Sequence, residues 1–140
     1  MGQQQLLLII LGVIVVGIAV AVGITMFQDN AVSANRDAVV NDLVNLAARA
    51  QQFYRRPTSL GGGQNSFAGL AGASSISKLV NVPTTSTSWQ NANGTYAIQS
   101  AVDSMVIIVG TGNEIGNDGG QKVKVTMTVR ATSTLTTVDN

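Results

Sequence analysis

The residue types that usually carry chemistry are scarce in this chain of 140 residues. It has no His and no Cys, so the commonest general base, the commonest metal ligand and the thiol nucleophile are missing. Without Cys no disulfide forms, and the redox compartment is not written in the sequence. Asp103 or Glu114 beside a Ser is the nearest approach to an acid–nucleophile pair, and no spacing supports one. Gly110-Thr111-Gly112-Asn113-Glu114-Ile115-Gly116 follows a strand, but it is one residue too long for a dinucleotide loop and no helix follows it. A hairpin turn is the expectation there. Glu114, Asn117 and Asp118 are oxygen ligands of the kind Ca²⁺ takes, yet their spacing fits no EF-hand. The chain is therefore read as having no catalytic site, no cofactor and no metal.

Two sequence features concern modification. Asn93-Gly94-Thr95 is a formal N-glycosylation sequon at Asn93, and Asn-Gly is also a turn signal. Thr84 to Ser88 is a Ser/Thr run open to O-glycosylation or to ordinary loop hydrogen bonding. Arg55 and Arg56 beside Tyr54 are explained by the negative end of a helix dipole. Trp89 and Phe67 are expected to be packing anchors.

The elements that position these residues divide the chain into an apolar rod and a small head. Leu6 to Phe27 is apolar apart from Gly12, Gly17, Gly23 and Thr25, and the first charge is Asp29. At 1.5 Å per residue such a run reaches roughly 30 Å, the thickness of a bilayer's hydrocarbon core. It is too long for the apolar part of a secretory signal, and no Lys or Arg precedes it. Ala19-Val20-Ala21 has the small-x-small form of a cleavage site, but a retained helix is expected. From Val32 to Arg56 there is no Gly or Pro. Val39, Leu43, Leu46, Ala50 and Phe53 form one helical stripe, while Asp37, Asn41, Asp42, Asn45, Arg49 and Gln52 fall mostly elsewhere around the helix. Pro57 ends the pattern. The spacing predicts one helix from about Gln3 to Arg56.

Residues 57–93 are loop-like, with Gly61-Gly62-Gly63 as a flexible joint and a short helix carrying Ile76, Leu79 and Val80 capped by Ser74 or Ser75. The last third alternates as strands. Tyr96 and Ile98 alternate with polar or small neighbours, Met105 to Val109 is a continuous apolar run, and Val123, Val125, Met127 and Val129 alternate with Lys122, Lys124, Thr126, Thr128 and Arg130. Gly110 to Gly120 is the expected turn, with Asp118-Gly119 its sharpest signal, and a short strand is expected near Leu135. The predicted class is α+β: a long N-terminal helix packed on a small C-terminal antiparallel sheet. The predicted division is an apolar helix over 1–30 and a head over 31–140, the head comprising an amphipathic helix 31–56, a loop 57–93 and a β-meander 94–138.

The polarity of the chain is carried by Ser, Thr, Asn and Gln rather than by charge. Charged residues are 11% of the chain and the net charge is +1, so no nucleic-acid partner is implied. A charge-free polar start, a long apolar helix, an amphipathic continuation, a Gly-rich loop and a C-terminal meander together resemble a type IV pilin. In motif detail the likeness covers the first twenty-odd residues. Bacterial members usually carry Glu where this chain has Gln5, and many carry Pro where it has Val22, if Met1 is the first mature residue. If cleavage falls after Gly2, Gln3 comes first, and Gly2-Gln3 resembles the class III signal junction shared with archaeal pilins and flagellins.

That resemblance implies a homopolymeric extracellular filament, with the chain held in the cytoplasmic membrane before assembly. It also implies a prepilin peptidase and an assembly ATPase and platform as partners. Leu6, Leu7, Ile10, Val13, Val16, Val20 and Ile24 are the expected filament-core residues, with polar contacts from Gln3, Gln4 and Gln5. A single-pass envelope protein or a pseudopilin of a secretion system is the alternative. The first positive charge, Arg36, lies well past the apolar run. The basic cluster that usually fixes a simple anchor is therefore missing from that junction.

Overall fold

The computed structural model describes every residue except Met1, Ala73, Asn117 and Asp118. Helix α1 spans Gly2–Arg55, 54 residues, or about 80 Å at the standard rise. Its backbone is hydrogen-bonded within itself, which lets a Val- and Ile-rich run persist as helix where no sheet partner is available. Beyond it, Pro57 has lost its N–H and the chain turns back.

The glycine run after that turn folds the chain back so that Gly63 and the two residues after it cap the helix end, where a flexible joint was expected. Gly63 N–H donates to the Phe53 carbonyl at 2.8 Å, Gln64 N–H to Arg56 at 3.0 Å and Asn65 N–H to Tyr54 at 2.7 Å. These bonds satisfy carbonyls that a helix end leaves orphaned. A Cβ on Gly62 would overlap the Arg56 carbonyl, and one on Gly63 would overlap that of Ser66. Only glycine lets the chain fold back this closely.

The five strands form one antiparallel meander in the order β1-β2-β3-β4-β5. They are β1 (Trp89–Gln90), β2 (Gly94–Val102), β3 (Met105–Ile115), β4 (Lys122–Arg130) and β5 (Thr134–Val138). Tyr96, Gly110 and Val125 stand side by side across β2, β3 and β4, as do Ile98, Ile108 and Met127. This is the inner face of the sheet. Val39, Leu43, Leu46, Ala50 and Phe53 of α1 join Val106, Ile108, Val123, Val125, Met127 and Val129 in one buried cluster. The helical stripe and the alternating strand therefore cover each other. Phe67 and Leu70 close the far end, with the Phe67 ring 4.7 Å from that of Tyr54.

Two expectations about β3 and the loop are corrected. Gly110 to Gly116 is not a turn: β3 continues to Ile115, and the reversal begins at Gly116, whose N–H donates to Gln121 at 2.7 Å. The glycines are where the helix crosses the strand. A Cβ on Gly110 would lie 2.7 Å from Val39 Cγ1 and 3.0 Å from the Tyr96 ring. The Asp118-Gly119 signal rests on Asp118, which lies outside the described residues. In the loop, the short helix is a single 3₁₀ turn, Ser75–Lys78, and neither serine caps it through its side chain. Ile76 and Leu79 are buried as expected.

Candidate assembly surface

The head begins to cover α1 only at Val32. Before that residue, every large apolar side chain from Leu6 to Phe27 is at least 52% exposed. Leu6, Leu7, Ile10, Val13, Val16, Val20 and Ile24 all lie in this open stretch, and at 100° per residue they cover about half of the helix's circumference. It is long and apolar enough to cross a membrane, and none of its most apolar window is buried. Gln3, Gln4 and Gln5 are exposed in the first turn and a half. Thr25, the polar interruption, donates its hydroxyl to the Val22 carbonyl at 2.8 Å. That bond removes its polarity from the surface. Gly12, Gly17 and Gly23 stand in open space, with nothing of the chain within 4 Å of a built Cβ.

Where rod meets head, Ile24, Phe27 and Val32 face Ile115 and Gly116 of the β3–β4 hairpin across a groove of about 740 Å³. Asp29 and Glu114 also line it. Of the three Ca²⁺-type ligands, only Glu114 lies among the described residues. No group of three or more His, Cys, Asp or Glu side chains comes together there or elsewhere among them.

Two polar residues of α1 lock the head's angle on the rod. Asp42 Oδ2 accepts from Tyr96 Oη at 2.6 Å, Asn91 Nδ2 at 2.7 Å and Asn93 Nδ2 at 2.8 Å. Burial pushes the Asp42 carboxyl up, but the bonds from Asn93, Tyr96 and Asn91 together outweigh it and hold the group below the usual range. The Tyr96 hydroxyl is pushed upward, by burial first and then by the Asp42 bond and charge. About two helical turns earlier, Asn35 Nδ2 donates to the Asn93 carbonyl at 2.9 Å. Its Oδ1 accepts from the backbone N–H of Asn113 at 3.1 Å and Glu114 at 3.3 Å.

Neither residue was expected in this role. Asn35, Val39 and Asp42 fall at i, i+4 and i+7, which places both polar groups beside the buried stripe rather than opposite it. That spacing was the available signal. At the Asn93 sequon, the Nδ2 that a glycan would occupy is the atom donating to Asp42.

The remaining chemically suggestive residues have mechanical uses. Ser66 Oγ donates to Asp103 Oδ1 at 2.7 Å and accepts from Ala68 N–H at 3.0 Å, tying the loop after α1 to the β2–β3 turn. Trp89 stacks 5.1 Å from the Tyr96 ring and starts β1. Compared with known proteins, the chain matches no family model, no curated protein and no solved structure.

Proposed function

We propose that this chain is the structural subunit of an extracellular helical filament of the type IV pilin kind. The subunits associate through the helix from Leu6 to Phe27. The observation that carries this reading is the bare apolar half of α1, continuous with the half that forms the head's core. Each large apolar side chain taken out of water contributes roughly 1.5–3 kcal/mol, so the run as a whole represents tens of kcal/mol before entropic costs. A helix so exposed is not stable in water alone. It needs lipid before assembly and other copies of itself afterwards. One long apolar helix on an antiparallel sheet is also compatible with a pilin-like fold.

The route proposed here is the one that the resemblance to type IV pilins implies. The subunit waits in the cytoplasmic membrane with the head outside, and a prepilin peptidase exposes its mature start. An assembly ATPase and platform draw it into the polymer, because lipid already satisfies the apolar run and leaves little spontaneous drive. Once the helix is packed in water, dissociation re-exposes all of it. A single-pass envelope protein or pseudopilin would use the same helix as an anchor. Electron microscopy of material sheared from cells producing the chain separates the two. The expected result is filaments composed of this chain. Its recovery only from membranes, with no filament, overturns the proposal.

A further inference from the structure

The head is electrically polarised along α1. Its distal end, farthest from the apolar run, carries Arg49, Arg55, Arg56, Lys78 and Arg130 against the single acid Asp103. The helix end places the first three there. Gln51 donates to the Arg130 carbonyl at 3.1 Å, and Met105, which follows Asp103 closely, pairs with Arg130. Arg49, Arg56 and Lys78 line a hollow of about 410 Å³ together with Phe53 and Leu79. The proximal end carries Asp29, Asp37, Glu114 and Asp139 against Arg36, Lys122 and Lys124, placed by the Asn35 bonds to Asn113 and Glu114 and by the Lys122–Ile115 pairing. The distal end is thus strongly positive and the proximal end negative, although the whole chain is nearly neutral.

The helix dipole does not account for the positive end. It acts within the last turn, which covers Arg55 and Arg56. Arg49 lies nearly two turns earlier, Lys78 comes from the loop and Arg130 from β4. Arg49 Nη1 donates to Leu79 and Lys78 Nζ to Gly69, both backbone carbonyls. Those bonds hold the two cations in place without neutralising them.

We infer that the distal hollow receives the proximal, acidic hairpin end of a second copy of this chain, centred on Glu114 and Ile115. This rests on the filament reading. Parallel subunits stacked along an axis present the distal end of one head to the proximal end of the next, a heterologous contact that propagates without closing. Charge complementarity of this kind sets register and excludes wrong pairings more than it adds raw affinity. Ile115 is 58% exposed beside Glu114, so the hairpin offers one apolar and one acidic group. The hollow answers the acid with the three cations Arg49, Arg56 and Lys78, over a floor of Phe53 and Leu79 that is itself almost fully buried.

The test uses the full chain in producing cells, scored by filament yield, with Trp89 fluorescence of the detergent-extracted protein to confirm a folded head. R55E/R56E/K78E makes both ends acidic, and D29K/E114K makes both ends basic. Each set alone is expected to lower filament yield at least tenfold. The five substitutions together restore opposite ends and are expected to return yield to within about threefold of the parent. Co-production of the two partial variants restores it as well, as an alternating polymer. In wild-type filaments, raising salt from about 0.01 to 1 M shortens the Debye length from about 30 to 3 Å, so equal shear gives shorter pieces.

Either partial variant polymerising normally, a folded combined variant that does not polymerise, or fragment lengths indifferent to salt overturns the contact. If filaments nevertheless form, the assembly reading stands. If yield is unchanged while retention on heparin falls, the basic end binds an anionic polymer instead and the contact is overturned. A wild-type chain that forms no filaments overturns both readings at once.

Discussion

Truncating Leu43 tests whether the head is held by its own helix or by its neighbours. Leu43 is fully buried in the cluster shared with β3 and β4. Leu43→Ala removes three carbons, about 2.4 kcal/mol of transfer free energy at roughly 0.8 kcal/mol per methylene. The sheet and helix close imperfectly over the gap, and the residual cavity raises the cost to about 3–4 kcal/mol, within the 2–5 seen for such truncations. A domain of this size has about 5–15 kcal/mol in total, so the loss is a large share. The assay is urea unfolding of the full chain in detergent micelles, followed through Trp89, whose ring sits 5.1 Å from Tyr96 inside the head. With a slope of about 1–3 kcal/mol per molar, the midpoint is expected to fall by about 1–4 M. Val44→Ala is the matched control: it is the next residue on the same helix and 51% exposed. A Leu43→Ala shift no larger than that of Val44→Ala would refute the reasoning and assign the stripe to contacts between subunits.

Three other substitutions probe separate parts of the argument. Asp42→Asn should cost about 1.5–3 kcal/mol at neutral pH, the range for hydrogen bonds to a charged group. Because the folded carboxyl titrates below its unfolded value near 3.9, its contribution is present above about pH 4 and lost as pH falls further. The acid limb of the stability curve should flatten in the variant, and an unchanged limb would count against the Asp42 node. Gly110→Ala should destabilise the head by about 1–3 kcal/mol through overlap with Val39 and Tyr96, whereas Gly119→Ala, also strained by its positive φ but open around its Cβ, should lack the overlap cost. Equal midpoints in both would remove the close-approach explanation. Gln5→Leu should lower filament yield while Gln5→Glu is tolerated, because an amide or carboxylate entering an apolar core needs a partner that Leu cannot use. Normal yield and symmetry in Gln5→Leu would dismiss a polar role for that residue.

The sequence was most legible where one period ran long enough to dominate. The helix is expected over Gln3–Arg56 and found over Gly2–Arg55. Its stripe and the alternation of β4 each identify their buried face, because burial follows directly from the 3.6- and 2-residue repeats. Glycine was the misleading residue. Gly110 and Gly112 look like punctuation, yet they extend a strand and make room for Val39 and Asn35. Gly62 and Gly63 look like slack, yet they close the helix end. For Gly110 and Gly112 the neighbour that demands a missing side chain is distant in sequence, so local pattern cannot reveal it; for Gly62 and Gly63 it is the nearby Arg56 and Ser66 backbone, and a glycine run does not show which way the chain folds back. β1 was missed because two residues carry no period; it exists because Trp89 pairs with Tyr96. Asp42 was placed away from the core because its polarity outweighed its position, while the tertiary fold supplies the three donors that make the position tenable.

By the same reasoning, the glycines of the rod bear on the proposed assembly surface. A helical glycine costs roughly 0.5–1 kcal/mol relative to alanine. Gly110, inside β3, returns a comparable cost within the chain by admitting a close neighbour. Gly12, Gly17 and Gly23 return nothing there, since no atom of the head comes within 4 Å of where their Cβ would lie. Lipid returns nothing either: acyl chains conform to any apolar surface and gain no special fit from a missing methyl group. A neighbouring helix does, because small residues let two backbones approach and extend their van der Waals contact. At 100° per residue, Gly12 and Gly23 fall within about 20° of one another and Gly17 roughly 140° away. The recesses therefore open on two sides of the helix. A dimer would use one. Recesses on two sides suit a helix with several neighbours, which is the environment inside a bundle of identical parallel rods. The apolar run alone supports either a membrane anchor or a filament core; the placement of its glycines favours the core.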